Sequence, residues 1–305
     1  MSKLYVTIGI PGAGKSTWLE NNKDSLDYVI HSSDNIRAEL GDVNDQSKNE
    51  LVFTTLHKRI KEDLLNGKNV AYDATNLKRK NRLHFLRQIE HIPCEKICVL
   101  FATPIECCKA NNANRERKVP EEVIERMIRN FEIPAYAEGW NDIKIVYWDH
   151  KEELKFNFLD DLVKWRLISQ NNPHHSLSIG DHMLSASGHY SNMCEGYERL
   201  LGTAILMHDC GKPYVKEFKN SKGEDSESAH FYQHHSVGSY LSLFYLKDMF
   251  STEDILYIAL LIEQHMKPFL SWDKSDKAKE KDRKLFGDDF INHITILHKC
   301  DLLAH

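Results

Sequence analysis

Residues 9–17 read Gly9-Ile-Pro-Gly-Ala-Gly14-Lys15-Ser16-Thr17 and directly follow the apolar run Leu4–Ile8. The pattern G-x-x-x-x-G-K-[ST] becomes specific when a strand precedes it and a helix follows, because the glycines let backbone N–H groups crowd around a polyphosphate. The lysine then reaches the β and γ oxygens, and the serine hydroxyl ligates Mg²⁺. The sequence predicts a site for ATP or another nucleoside triphosphate with Mg²⁺; a ligand-free glycine-rich turn is the alternative. The predicted nucleotide-binding residues are Gly12, Ala13, Gly14, Lys15, Ser16 and Thr17.

The first half of the chain alternates short apolar runs with amphipathic stretches. Such alternation predicts an α/β domain with a parallel sheet and helices on both faces. The predicted strands are short and apolar, as expected for a sheet that is covered on both sides. The predicted strands are Lys3–Ile8, Tyr28–His31, Asn69–Tyr72, Lys96–Ala102 and Lys144–Tyr147.

After Trp148 the periodicity becomes helical, which predicts a second, all-α domain. We expect domains at 1–152 and 153–305, with the boundary near 149–155. The polar stretch 219–229 and the charged stretch 273–284 are predicted to be loops. The predicted helical segments are 154–170, 181–191, 196–210, 231–248, 253–266 and 288–304.

Composition narrows the class of protein. Hydrophobic residues make up 41% of the 305 and charged residues 28%, which is typical of globular proteins. A net charge of −5 excludes a wholly basic nucleic-acid-coating surface but allows local basic patches. No stretch resembles a secretory leader or reaches membrane-spanning length. Without such a stretch we expect no membrane partner. The seven cysteines form no C-x-x-C pair, so we expect a reducing, cytoplasmic setting.

The segment His31-Ser-Ser-Asp34-Asn-Ile-Arg37 closes the second predicted strand. In open α/β sheets ligands bind at the carboxyl ends of strands, so Asp34 is expected to face the phosphates. A carboxylate there can accept the proton of an attacking hydroxyl. The alternative is that Asp34 caps the following helix, and the two roles are compatible.

Two more segments carry polar residues suited to the same site. Asp73 and Asn76 close the third strand, where they can hold the Mg²⁺ shell and orient substrate or simply form a turn. Arg115 and Arg117 lie in an arginine-rich run of the kind that closes over transferred phosphates, with an exposed charge run as the alternative. The basic run 78–82 can contact a nucleic-acid backbone or form a solvated helix start.

The motifs G-x-P-G-x-G-K-S-T, S-D-x-x-R and D-x-T-N, followed by an arginine run ending in V-P, together resemble the 5′-polynucleotide kinase module of nucleic-acid end-healing enzymes. The resemblance covers roughly the first 150 residues. It implies that Asp34 is the general base for the 5′-OH and that Arg37 engages a phosphate of the acceptor. It also implies that Arg115 and Arg117 belong to a lid, and that Lys15 takes part in catalysis.

The second half holds most of the 17 histidines, including the adjacent pair His208-Asp209. A single histidine is more often a packing or surface residue, whereas an ordered series of His and Asp on successive helices favours a metal site. Imidazole with carboxylate suits Mn, Fe, Ni, Co or Zn. The other candidates in the series are His182, His230, His234, His235, His265 and Asp301.

The order H…HD…H…H…D resembles the HD-domain metal-dependent phosphohydrolases, over residues 155–305. The resemblance implies a helical scaffold and attack by metal-activated water, with Lys212 near the scissile phosphate. His234 is preferred over His235 because the family's spacing from histidine to a small residue then ends at Gly238. The implied ligands of one ion are His182, His208, Asp209 and Asp301, with His234 and His265 holding a second ion if the site is dinuclear.

The two resemblances together imply a bifunctional end-healing enzyme. It would phosphorylate 5′-OH ends and remove 2′,3′-cyclic, 2′- or 3′-phosphate from the other end, leaving ends for a ligase. RNA is preferred over DNA by analogy alone. One alternative is a small-molecule or nucleoside kinase fused to an HD nucleotidase, and another is a non-catalytic nucleotide-sensing protein.

Overall fold

The computed structural model describes residues 1–41, 47–115, 117–148, 156–173, 176–193, 196 and 198–304. The chain divides into two compact units. The first is Met1–Met127 with Pro134–His150, and the second is Ile128–Ile133 with Lys151–His305. The boundary expected near 149–155 lies outside the described residues, so the division at 152 stays a prediction.

The first unit is built on a five-stranded sheet with the order β2-β3-β1-β4-β5, and every neighbouring pair is parallel. Leu4–Ile8 are buried at every position, so both faces of the central strand are covered. This confirms the predicted parallel sheet. The strands are β1 Ser2–Ile8, β2 Tyr28–Ser32, β3 Asn69–Asp73, β4 Cys94–Ala102 and β5 Asp142–Tyr147.

Among the described residues, six helices connect the strands along the chain, and the last of them ends in the second unit. In the longest of these helices, Asn49–Leu65, four apolar residues recur at every fourth position and are all buried: Val52, Leu56, Ile60 and Leu64. They give the helix one apolar face that packs on the sheet. A 3₁₀ turn, Tyr136–Glu138, precedes β5. The helices are α1 Lys15–Leu26, α2 Ser33–Glu39, α3 Asn49–Leu65, α4 Arg79–Gln88, α5 Ile105–Ala113 and α6 Glu121–Arg129.

The basic run 78–82 has a structural role that neither interpretation of the sequence anticipated. Arg82 donates to Glu138 through Nε (2.7 Å) and Nη2 (2.6 Å), and both side chains are fully buried. Arg79, also buried, donates to Glu138 Oε1 at 3.3 Å. These two guanidinium groups therefore lie inside the unit and do not face a nucleic acid or solvent.

We expect Glu138→Ala to destabilise the protein by about 3–5 kcal/mol, because removing one partner of a buried ion pair leaves the other charges uncompensated. Chemical denaturation of the purified protein would measure this. Glu39→Ala is the matched control, since its bidentate pair with Arg59 lies at the surface and contributes little. Equal unfolding midpoints for the two variants would contradict the structural role.

The second unit is mainly helical, as predicted. α11 and α12 are buried around most of their circumference, which places them at the centre of its core. A π-helical turn, Pro268–Trp272, follows α12. The helices are α7 Phe158–Trp165, α8 Ile179–Met193, α9 Arg199–Met207, α10 Lys212–Val215, α11 His234–Leu246, α12 Thr252–Gln264, α13 Asp276–Phe286 and α14 Asp288–Leu303.

One loop prediction in the second unit was wrong, because the segment forms two short strands. The stretch 219–229, predicted as a loop, contributes to an antiparallel hairpin of β6 Glu217–Lys219 and β7 Asp225–His230. Its strands are short and mostly polar, so they lack the alternating apolar pattern that marks a half-buried strand. The turn between them uses Gly223, whose N–H donates to the Asn220 carbonyl at 2.9 Å.

The prediction of a loop at 273–284 was also wrong, because α13 covers most of it. The Ser275 side chain caps this helix by accepting from the Ala278 N–H. Lys, Glu and Ala dominate the sequence and favour helix without supplying an apolar stripe. The helix is attached through buried Asp282, which accepts from Trp272 Nε1 at 2.9 Å. Among the described residues, no helix is both long and apolar enough to cross a membrane.

Candidate functional sites

The loop between β1 and α1 is held in shape by side chains from elsewhere in the first unit. Gly12 has φ +80°, and a Cβ there would lie 2.1 Å from the Cys108 carbonyl oxygen, so only glycine fits. The Asn111 amide donates to the Gly12 carbonyl (2.8 Å), and Thr103 Oγ1 donates to the Ala13 carbonyl (2.9 Å). The loop is therefore fastened to α5 and to the end of β4.

Lys15 is fixed at the end of this loop. Its Nζ donates to the carbonyls of Gly9 (3.0 Å) and Ile10 (2.9 Å). Burial lowers the pKa of Lys15, while the nearby charge of Asp73 opposes that shift. These contacts hold the amino group of Lys15 at the loop, where a lysine of this motif binds the oxygens of a triphosphate.

A hydroxyl and a carboxylate meet next to Lys15. Ser16 Oγ donates to Asp73 Oδ2 at 2.9 Å, and Asp73 is buried at the end of β3. Oxygen donors of this kind are the ligands that Mg²⁺ prefers. Asn76 has φ 47° and donates its side-chain amide to the Thr7 carbonyl at 2.9 Å, which ties the end of β3 to β1 and matches the turn alternative.

Asp34 lies at the carboxyl end of β2, in the first turn of α2. The cap of this helix is Ser32, whose Oγ accepts from the Asp34 N–H, so the capping alternative for Asp34 was wrong. The Asp34 carboxylate accepts at Oδ1 from Arg117 Nη1 (2.6 Å) and from Arg37 Nη1 (3.1 Å). Arg37 is also held by Asn49, which accepts from Nη2 at 2.7 Å.

These groups line one cavity of about 890 Å³ in the first unit. It is formed by residues at the carboxyl ends of all five strands, beside β1, where the strand order reverses. The arginine-rich run contributes both Arg115 and Arg117 to the wall, and Phe53 contributes an aromatic face. The cavity thus combines a phosphate loop, the carboxylates of Asp34 and Asp73, and three guanidinium groups.

The second unit brings six predicted metal ligands together. They come from α8, the ends of α9 and α12, the start of α11, and α14. The ligand atoms fall into two groups, each with members within 4.8 Å of one another. One group is His182, His208 and Asp301, and the other is Asp209, His234 and His265.

All four imidazoles in this cluster are oriented in the same way. Each ring has Nδ1 next to a backbone carbonyl, at distances of 2.7–3.3 Å. A carbonyl only accepts, so Nδ1 carries a proton in each ring, and the neutral form of each ring would offer its Nε2 lone pair to a metal ion in the cluster. Backbone contacts of this kind fix the tautomer of metal-binding histidines. The accepting carbonyls are those of Ala304, Ile205, Phe231 and Ile262.

Asp209 belongs to the second group but also lies close to the histidines of the first. Its Oδ2 is 3.3 Å from Nε2 of both His182 and His208, and its Oδ1 is 3.2 Å from His234 Nε2. Lys212 Nζ is 2.6 Å from Oδ2, but among the described residues no donor meets hydrogen-bond geometry at this buried atom. A nitrogen and oxygen donor set around an unsatisfied buried carboxylate fits one or two divalent transition metals.

The electrostatics of the cluster also favour a cation. Burial alone would lower the pKa of His208, but the carboxylates of Asp209 and Asp301 raise it to about 10. Burial likewise disfavours charge on Asp209, yet Lys212 and His208 hold the pKa of this carboxyl well below its usual range. The carboxylates therefore stay ionised and attract positive charge, which metal ions would provide.

Close backbone packing sets the spacing of the helices that carry these ligands. A Cβ at Gly211 would lie 2.0 Å from the His234 carbonyl and 2.6 Å from the Gly238 nitrogen. Only glycine allows α10 to approach the first turn of α11 this closely. This approach brings Asp209 within reach of His234.

Some site residues were missed by the sequence analysis. Gln170 is buried and accepts from Lys212 Nζ at 2.8 Å, and Asn49 holds Arg37. Residue type and spacing do not identify these two residues as site residues in the sequence, because each is separated along the chain from the residue that it contacts. His235 and His230 take no part in the two ligand groups; His230 instead contacts Ser226 Oγ at 3.2 Å.

Comparison with known proteins bears on the first unit. Residues 4–134 match a family model described as an AAA domain. L-seryl-tRNA(Sec) kinase from Methanococcus maripaludis is 26% identical over 159 residues, which are 50% of this chain and 62% of that protein. The Schizosaccharomyces pombe protein kti12 is 24% identical over 152 residues, 45% of this chain and 54% of the relative. The residues matched by the family model include the phosphate loop and the first four strands of the sheet.

A solved structure of the Pnkp1/Rnl/Hen1 RNA repair complex is also similar. Its TM-score is 0.37 at 22% identity, with 42% of this chain and 43% of that chain covered. The chain spans less than two thirds of the length of each curated relative that it matches here.

Proposed function

We propose that this chain is a bifunctional end-healing enzyme acting on nucleic acids, with RNA preferred. One activity transfers the γ-phosphoryl group of ATP to a 5′-hydroxyl. The other removes a 2′,3′-cyclic, 2′- or 3′-phosphate from the opposite kind of end. The products are a 5′-phosphate and free 3′-terminal hydroxyls, which a ligase can join.

The observation that carries the kinase proposal is the contact of Arg37 and Arg117 with the Asp34 carboxylate, in the cavity that Lys15 also lines. Asp34 accepts the proton as the 5′-oxygen bonds to the γ-phosphorus and the bond to the β–γ bridging oxygen breaks. Arg37 binds a phosphate of the acceptor. The lid arginines, Arg115 and Arg117, stabilise charge on the transferred group, and Ser16 with Asp73 would hold Mg²⁺.

The phosphohydrolase proposal is supported by four Nε2 atoms converging on the Asp209 and Asp301 carboxylates. Divalent ions held by these six residues would lower the pKa of water and offset phosphate charge. The resemblance to HD-domain enzymes gives the ligand order. Lys212, kept in place by Gln170, would contact the scissile phosphate from the side of Asp209.

A test of the acceptor compares oligonucleotides with nucleosides. With labelled ATP and Mg²⁺, we expect label on an RNA carrying a 5′-OH and none on an RNA already bearing a 5′-phosphate. A metal series on an RNA with a 2′,3′-cyclic end tests the second activity. Transfer to free nucleosides but not to oligomers would instead support a nucleoside kinase fused to a nucleotidase. Absence of both reactions would support a nucleotide sensor.

A further inference from the structure

A basic and aromatic surface lies outside the two sites and begins just after His265. It consists of the π-helical turn and the lysine-rich helix α13, residues 267–284, which carry seven basic side chains against four acidic ones. The whole chain has a net charge of −5, so this segment opposes the overall sign. We refer to residues 267–284 as the lysine surface.

Two of the four acidic side chains of the lysine surface are engaged within it. Buried Asp282 accepts from Trp272 Nε1 and lies 3.2 Å from Lys267 Nζ. Glu280 pairs with Arg283 at 3.1 Å. The contacts of Asp282 attach α13 to the π-helical turn, and the remaining lysines dominate the potential at the surface.

The exposed lysines form a row. Lys277, Lys281 and Lys284 are spaced by four and three residues, so they share one face of α13, and all three are exposed. Lys274 precedes the helix and places its Nζ 5.9 Å from the centre of the Phe269 ring. The row thus runs from the helix to an aromatic side chain.

Phe269 is unusual for a large apolar residue because 60% of its surface is exposed, and its neighbour Leu270 is 48% exposed. π-Helical turns are rare and often occur at functional sites. An exposed ring bordered by lysines is the arrangement that binds single-stranded nucleic acid, in which bases stack on the ring and ammonium groups pair with the backbone.

The lysine surface begins close along the chain to His265 of the metal cluster. Phe269 is the fourth residue after His265, so their Cα atoms are at most about 14 Å apart. We propose that the lysine surface binds the single strand leading to the phosphate-bearing end, with Phe269 stacking on a base and Lys277, Lys281 and Lys284 contacting phosphates. Its use to present that end rests on the proposed phosphohydrolase function, whereas strand binding itself does not.

The test measures binding of a single-stranded RNA labelled at its 5′ end with fluorescein, which blocks the 5′-hydroxyl, by anisotropy over a series of salt concentrations. We expect the full-length variant Lys277→Glu/Lys281→Glu to bind at least about tenfold more weakly, with the slope of log affinity against log salt reduced by roughly one to two. Phe269→Ala should weaken binding by about tenfold. The matched control is Lys23→Glu/Lys58→Glu, which removes the same charge from exposed positions on α1 and α3 and should bind like the wild type.

Hydrolysis of a nucleoside 2′,3′-cyclic phosphate separates this proposal from the function on which it partly rests. This substrate has no strand, so Phe269→Ala should hydrolyse it at the wild-type rate. Equal RNA affinity for the lysine and control variants would overturn the proposal, as would loss of nucleoside hydrolysis in Phe269→Ala. If the wild type binds RNA through this surface but hydrolyses neither substrate, only the proposed phosphohydrolase function fails.

Discussion

His234→Ala should reduce release of phosphate from a 2′,3′-cyclic or 3′-phosphate RNA end on the order of 1,000-fold. The metal ions are expected to supply several kcal/mol of transition-state stabilisation, and this variant removes an imidazole whose Nε2 lies 3.2 Å from both Asp209 Oδ1 and His265 Nε2. Phosphoryl transfer to a 5′-OH should be unaffected, because the proposed kinase residues all belong to the first unit. Initial rates of both reactions on the same protein preparation are the measurement.

The adjacent histidine provides the matched control for this prediction. His235 belongs to neither ligand group, so His235→Ala should retain its bound metal and most of its activity. Metal content determined on the purified variants should fall for His234→Ala and stay near the wild-type value for His235→Ala. If the two variants behave alike, the assignment of His234 as a ligand is wrong.

Asp34→Asn should lower the turnover of 5′ phosphorylation by about 100- to 10,000-fold, the range that a positioned general base contributes. The change preserves the size of the side chain, and Arg37 keeps its contact with Asn49 at 2.7 Å. Because Asp34 is assigned to the acceptor rather than to the donor, KM for ATP should change little. Steady-state kinetics with varied ATP and varied oligonucleotide would show this.

The control for Asp34 lies at the end of α2. Glu39 pairs with Arg59 at the surface, so Glu39→Gln should leave kcat and KM unchanged. Lys15→Ala, by contrast, should impair use of ATP as well as turnover. An Asp34→Asn variant with full turnover would exclude proton transfer to this carboxylate.

The sequence predicted the sheet of the first unit well, because its strands have apolar centres and the phosphate loop marks the first connection from a strand to a helix. It was less informative where structure depends on polar contacts. The lysine-rich helix α13 is held by the Trp272–Asp282 hydrogen bond, and the hairpin β6–β7 is mostly polar, so neither produces an apolar period.

In the candidate sites too, some residues could be predicted from the sequence and others could not. Ligand residues such as His208 and Asp209 could be predicted from their order along the chain. Gln170 and the carbonyls that orient the imidazoles could not, since a buried amide and a backbone oxygen leave no pattern in sequence. Arg82 shows the opposite error, because a basic run suggested nucleic-acid contact while folding placed its guanidinium against Glu138.

The central claim is that one chain carries two separate phosphate chemistries, acting on opposite kinds of end. The most direct measurement follows a single RNA with a 5′-OH and a 2′,3′-cyclic phosphate by mass spectrometry, with ATP, Mg²⁺ and a transition metal. The wild type should add a phosphoryl group at one end and release phosphate from the other. Asp34→Asn should perform only the release, and His234→Ala only the addition. Loss of both reactions in either variant, with both proteins folded, would contradict the claim.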